Sequence, residues 1–278
     1  MIYWTNKISK IKKIIGYFYL LNSRKKLYSY YKISKFGFNL FSGSYEHLLE
    51  MKDIHKGKRA FVLGTGPSLL LDDVKKLKNE VVFACNGLYK IYKDLGWSPQ
   101  YHTVIDRTQL EDRARELNQL KNTTLFVPNF SGYCIKARTN VVFIPFRWPD
   151  TRYGFPLFSC DAAAAVWDGM TVTVANLQLA YHMGISEVIL LGIDFSYNLN
   201  ESLQKTQTEV EGVNSSPDHF IKDYYSGGKR FVQFYPELQK QAYELSLRIY
   251  TESGRKIKNA SRATKLDVFP NVNFENLF

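Results

Sequence analysis

The stretch Arg59-Ala60-Phe61-Val62-Leu63-Gly64-Thr65-Gly66-Pro67-Ser68-Leu69 decides the fold. Its first part is a short apolar run of strand length, closed by two glycines and a proline, after which apolar residues resume at helical spacing. A strand that turns through glycines into a helix is one step of an alternating chain, and the same step recurs on the way to the C-terminus. Residues 81–84, 102–105, 124–127, 141–145 and 187–191 read as further buried strands, and residues 69–77, 89–95, 109–120, 172–183 and 236–252 as helices. Alternation of this kind gives an α/β fold, a mostly parallel sheet with helices on both faces. Ligands of such sheets sit at the carboxyl ends of the strands, near a reversal of strand order.

Polar residues stand at those ends. Gly64 and Gly66 permit a tight turn and close backbone approach to a ligand. Ser68 has the chemistry of a helix N-cap, and an open helix N-terminus binds phosphate through its N–H groups. The loop is neither G-x-G-x-x-G nor a P-loop, since no Gly-Lys-Ser/Thr follows, and an ordinary strand-to-helix turn is the alternative. The second strand runs into Cys85-Asn86-Gly87. Asn86 carries a donor and an acceptor, enough to bridge a phosphate and a sugar hydroxyl, or it is a turn residue tolerating a left-handed backbone. Asp106 ends the third strand, as a ligand for a ribose or sugar hydroxyl or as a cap for the next helix. Asp194, in Gly192-Ile193-Asp194-Phe195, ends a later strand in the same manner.

Residues 197–217 are polar, without apolar period, and read as part of a lid or connector over about 196–235. Within it His219 and Asp223 stand four apart, on one face if helical, and either can serve as a general base; a structural histidine is the alternative. The other histidines, His47, His55, His102 and His182, form no metal-binding spacing, and no Asp-x-Asp occurs. No metal and no resident cofactor are expected.

The chain has 278 residues, 45% of them hydrophobic and 23% charged. That composition suits a globular protein and excludes disorder or a collagen-like repeat for most of its length. Cys85, Cys134 and Cys160 are far apart, giving neither a disulfide framework nor a zinc site, as in a reducing compartment. Of the net charge of +11, +9 comes from residues 1–40, where nine Lys and Arg stand with no acid. Trp4, Ile8, Ile11, Ile15 and Phe18 fall on one helical face of that segment, with Lys7, Lys10, Lys12 and Lys13 off it. Its longest uncharged run, ten residues, is too short to span a bilayer. Residues 1–50 therefore read as a separate basic segment lying in an anionic membrane interface, with residues 51–278 as the catalytic domain. The alternative is a helix packed on its own domain or on a partner. Nucleic acid is not expected as a partner, because no recognised motif accompanies the charge.

Four segments in order carry a resemblance: Gly64-Thr65-Gly66-Pro67-Ser68-Leu69, Cys85-Asn86-Gly87-Leu88-Tyr89, Val104-Ile105-Asp106, and the run from Ala180 through Gly192-Ile193-Asp194-Phe195. Together they resemble the bacterial lipooligosaccharide sialyltransferases and the broader MptE-like group of surface-glycan loci. Residues 218–225 and 259–270 resemble the latter. The resemblance implies a Rossmann-like transferase, a cytidine monophosphate sugar held by Gly64, Thr65, Gly66, Pro67, Ser68, Asn86 and Gly87, and Asp106, Thr171 and Asp194 beside it. It implies His219 or Asp223 as base, and Tyr197, Tyr224 and Tyr225 at the departing phosphate. An arginine of the sialyltransferases falls on Gly169, so Arg147 or Arg152 would supply that contact. Ser196 replaces the tyrosine directly after Phe195. Implied partners are a nucleotide-sugar donor and a glycan or glycolipid acceptor at the inner face of the cytoplasmic membrane; a homo-oligomer is left open by the sequence. The MptE-like group also implies a pyrophosphokinase alternative, needing ATP and Mg²⁺ at Asp106 and Asp194. A non-catalytic glycan-binding subunit is the third reading.

Overall fold

The computed structural model describes residues 44–149, 154–195 and 235–278 in full, and the backbone of 209–211 and 230–232. Strands β1 (Arg59–Leu63), β2 (Val81–Cys85), β3 (Tyr101–Thr103), β4 (Thr124–Pro128), β5 (Val141–Ile144), β8 (Glu187–Leu191) and β11 (Lys256–Asn259) form one sheet in the order β11-β8-β1-β2-β3-β4-β5. Every neighbouring pair is parallel. The chain runs from β1 outward to β5 and returns to the other side of β1, so strand order reverses between β1 and β8. The α/β reading and its parallel sheet hold. β6 (Phe146–Arg147) and β7 (Val166–Trp167) make a small parallel ladder, and β9 (Glu209–Glu211) pairs antiparallel with β10 (Arg230–Val232). That hairpin falls inside the segment read from sequence as a lid.

The strands are apolar on both faces because both are covered. Ala60, Val62, Phe83 and Tyr101 pack on one side, Phe61, Leu63, Val82 and Ala84 on the other. Helix α2 (Leu71–Lys76) and α3 (Tyr92–Leu95) serve the second side with Phe274. α4 (Arg107–Asp112) and α5 (Ala114–Leu117) follow β3, with Arg113 between them. α6 (Val172–His182) lies across β1, β2 and β3 beneath α7 (Pro236–Glu252), whose Tyr250 hydroxyl donates to Leu177 O at 2.7 Å. Enclosed between sheet and helix, α6 is buried from Thr173 to Ala180. It runs against the strands, so its N-terminus lies at their carboxyl edge.

α1 (Ser44–Glu50) packs on β5. Its Ser44 hydroxyl accepts from Phe143 N at 2.9 Å, and His182 Nε2–H donates to Leu48 O at 2.6 Å. The folded unit thus takes in residues before 51. Residues 1–43 lie outside the described residues, and with them the amphipathic segment. Among the described residues no helix is long and apolar enough to cross a membrane. All three cysteines are free, and burial pushes the Cys85 thiol up to about 12.

Candidate functional site

At the reversal, the glycine loop after β1 and the turn after β8 are packed together. Gly64 N donates to Leu191 O (2.8 Å), Gly66 N to Gly192 O (2.9 Å) and Leu69 N to Gly66 O (3.1 Å). Ser68 N donates to Asp194 Oδ2 at 2.7 Å, and the Ser68 hydroxyl donates to Asp194 Oδ1. A Cβ on Gly64 would stand 2.3 Å from Gly192 O, and one on Gly66 would stand 2.6 Å from Asp194 Oδ2. The glycines serve close approach, but of protein to protein. Two expectations are corrected here. The loop amides from Gly64 to Ser68 do not form an open anion cradle, because those of Gly64, Gly66 and Ser68 already donate within the protein and Pro67 has no N–H. Nor is Ser68 a helix N-cap: α2 begins at Leu71 behind Leu70, without a side-chain cap. Asp194 is the acceptor that fixes this loop, so its carboxylate is engaged where the kinase alternative needs it for a metal. Thr65 and Pro67 stay on the loop's rim.

Among the described residues, three buried side chains without protein partners follow β2, end β3 and stand near the start of α6. Asn86 leaves β2 with φ of +48° and opens the 3-10 turn Asn86–Ile91, with Gly87 buried behind it. Its main-chain oxygen accepts from His102 Nε2–H at 3.0 Å, and His102 Nδ1 accepts from the Tyr92 hydroxyl at 2.5 Å. Burial holds His102 down to about 4, so it is neutral, and this one tautomer clamps Asn86 in its left-handed backbone. The Asn86 side-chain Oδ1 is buried and has no partner. Neither has the hydroxyl of Thr103, the last residue of β3. In the second turn of α6, Asn176 is fully buried with both amide atoms unpartnered. Each such group costs about 1–3 kcal/mol unless something binds it.

Asp106 caps α4: its Oδ1 accepts from Gln109 N (2.9 Å) and from the Thr108 hydroxyl (2.5 Å). The capping alternative is what the structure shows. Thr171 caps α6, accepting from Thr173 N at 3.3 Å. The turn before it is held by α7, where Gln239 Nε2 donates to Met170 O at 2.7 Å. A Cβ on Gly169 would stand 2.5 Å from Val174 Cγ1, so the position matching the sialyltransferase arginine has no room for a side chain.

Three residues at this edge escaped the sequence reading. Asp168 follows β7; its Oδ1 accepts from Met170 N at 2.8 Å, and its carboxyl is raised to about 6, by burial first and also by the charge of Asp106. Its N–H donates to the main chain of Arg147, which places that expected residue beside it. Arg113 is fully buried, with Nε donating to Gln109 Oε1 at 2.7 Å and the Tyr89 hydroxyl next to its guanidinium. His102 is the third. None of the three stands at a position the pattern marks; the one signal was a histidine at the head of the run 102–105, read as a buried strand. β10 packs on α4, so the hairpin reaches the same edge. His219, Asp223, Tyr197, Tyr224, Tyr225 and Arg152 lie outside the described residues. Among the described residues no group of three or more His, Cys, Asp or Glu side chains is placed to hold a metal ion.

A family model described as 6-hydroxymethylpterin diphosphokinase MptE-like matches residues 33–200, over half of the chain. The chain belongs to the MptE-like family. The match takes in β1 to β8 with Asn86, Thr103, Asp106, Asp168 and Asn176, and ends before β10 and Gln239. The MAf glycosyltransferase from Magnetospirillum magneticum AMB-1 is a similar solved structure, with a TM-score of 0.49 and 16% sequence identity over 84% of this chain. This chain covers 39% of that protein's length. No curated protein matches the sequence.

Proposed function

We propose that this MptE-like protein is a glycosyltransferase that takes a nucleotide-activated sugar, of cytidine monophosphate type, and passes the sugar to a glycan or glycolipid hydroxyl in bacterial surface-glycan assembly. The observation that carries the reading is the set of buried, unpartnered polar groups on Asn86, Thr103 and Asn176 at one sheet edge. A polar ligand is what satisfies them, and the carboxyl edge of a parallel sheet is where nucleotides bind. Asn86 is the donor ligand, held in register by His102. In the reaction a base takes the acceptor hydroxyl proton, the oxygen attacks the anomeric carbon, and the bond from that carbon to the phosphate oxygen breaks, its electron pair leaving on the nucleotide. The configuration inverts. The bases are drawn from His219, Asp223 and Asp168, the last being a carboxyl already poised near neutrality. Arg147, Arg152, Tyr197, Tyr224 and Tyr225 stabilise the departing phosphate in this reading.

A second reading rests on the pair Asp106 and Asp168. Two neighbouring carboxylates with substrate phosphates are enough to hold Mg²⁺ in a diphosphokinase. One experiment separates the two. The purified chain is incubated with a panel of nucleotide sugars and simple acceptors, with and without excess EDTA, and release of free nucleotide is followed. Acceptor-dependent release that survives EDTA is the expected result. AMP formation from ATP, abolished by EDTA, in place of nucleotide-sugar turnover would establish the kinase. Asn86→Ala should lower turnover at least tenfold in either case, because both need the nucleotide.

A further inference from the structure

The small β6–β7 ladder carries an aromatic surface that the nucleotide edge does not use. Trp148, the residue after β6, is 43% exposed. Its indole stacks on Phe130 (ring centroids 5.1 Å apart, planes at 28°) and meets Phe146 edge to face (5.3 Å, 89°). Phe130 and Phe146 are each only 5% exposed. A large ring backed by two buried rings is held rigid, so a ligand that covers it loses little conformational entropy.

An acidic residue follows the strand next to the one that carries this ring. Phe146 pairs with Val166 and Arg147 with Trp167, and the second pair is closed by Asp168 N–H donating at 2.8 Å to the carbonyl of the peptide that links Arg147 to Trp148. Trp148 lies on the side of Phe146, whose ring it meets, and Asp168 follows the neighbouring strand, bonded through its N–H to the peptide that precedes Trp148. Asp106 lies close enough to act electrostatically on Asp168. Two carboxylates repel a phosphate-bearing group, whereas they accept hydrogen bonds from neutral hydroxyls. The C–H face of a pyranose ring is electropositive and suits the negative face of an indole, with hydroxyls at its rim.

We propose that Trp148 and Asp168 form a subsite for an uncharged pyranose ring, the indole stacking on its C–H face and the carboxylate accepting from a rim hydroxyl. As the acceptor subsite it rests on the transferase reading; as a sugar site it does not.

Saturation-transfer NMR on the full chain tests it, with the methyl glycosides of glucose, galactose, mannose and N-acetylglucosamine as probes and cytidine monophosphate as a second ligand. Transfer to the ring C–H protons of at least one glycoside is expected. In Trp148→Ala that binding should weaken at least tenfold with cytidine monophosphate binding unchanged, and in Trp148→Phe it should partly persist. Asp168→Asn should weaken it with the ring contacts kept, which preserves the test should Trp148→Ala fail to fold. No transfer to any glycoside, equal binding by Trp148→Ala and the parent, or loss of nucleotide in its place would each overturn the subsite, the last by making Trp148 a base platform. Glycoside binding without nucleotide binding would sink the transferase reading and leave the subsite standing.

Discussion

Asp168 and His102 are displaced from their ordinary protonation ranges in opposite directions, and at the scale of single residues that gives a pH signature. The Asp168 carboxyl is raised to about 6, so between its unfolded value near 4 and about 6 the folded state holds more protons than the unfolded one. Stability from this group is therefore present at low pH and lost as pH rises through that window. His102 is lowered to about 4, so its contribution is present above about pH 6.5 and lost as pH falls toward 4. In the parent the two trends oppose each other. Asp168→Asn removes one and keeps the acceptor for Met170 N, so it isolates the other. Urea unfolding across this range should show Asp168→Asn gaining about 1–3 kcal/mol on the parent between pH 4 and pH 7. Parallel profiles would mean that Asp168 is not perturbed, and its role as a base would fall with them.

Among the elements, the loop after β1 shows how a legible motif was given the wrong partner. Two glycines after an apolar strand do signal close backbone approach, and the structure has it. Sequence could not say that the approaching group was Gly192 to Asp194, because that contact closes across some 130 residues of chain. Gly66→Ala tests the revised role. Its Cβ would meet Asp194 Oδ2 at 2.6 Å and Gly192 O at 2.7 Å, one of them backbone, so the cost should be about 1–3 kcal/mol. Thermal unfolding should show it without any ligand present; a Gly66→Ala protein of parental stability and no nucleotide affinity would restore the phosphate cradle. The same logic sorts the other elements. β1, β8 and α7 fall at their expected bounds because unbroken apolar runs or strong amphipathicity mark them. β11, Lys-Ile-Lys-Asn, was missed because an edge strand alternates with lysines, Lys256 exposed and Lys258 half-buried and paired with Glu187 at 2.8 Å. β6 and β7, two residues each, are too short to carry a period. For the candidate site, Asn86 and Asp106 were legible because they follow strands, and Thr171 only through the family resemblance, whereas Asp168, Arg113 and Asn176 act through burial, which one-dimensional pattern does not report.

For the molecule as a whole the governing quantity is the uneven charge. The net +11 resides almost wholly in residues 1–40, and the remainder carries +2. A near-neutral domain has little reason to bind an anionic bilayer, while several lysines and arginines on one segment each contribute about 1 kcal/mol near such a surface. We propose on that ground that the N-terminal segment brings the chain to anionic lipid, where the glycolipid acceptor of the proposed reaction would lie. The family match begins at residue 33 and α1 is already packed at Ser44, so removal of residues 1–32 takes eight of the nine basic residues and leaves the matched region whole. The truncated protein should keep its circular-dichroism spectrum and melting temperature within a few degrees and lose sedimentation with phosphatidylserine vesicles. The full chain should sediment with them at low salt and release as ionic strength shortens the Debye length to about 8 Å and below. Equal sedimentation of both chains would remove the membrane proposal. Loss of the fold on truncation would assign the segment to packing on its own domain, the other role its apolar face allows.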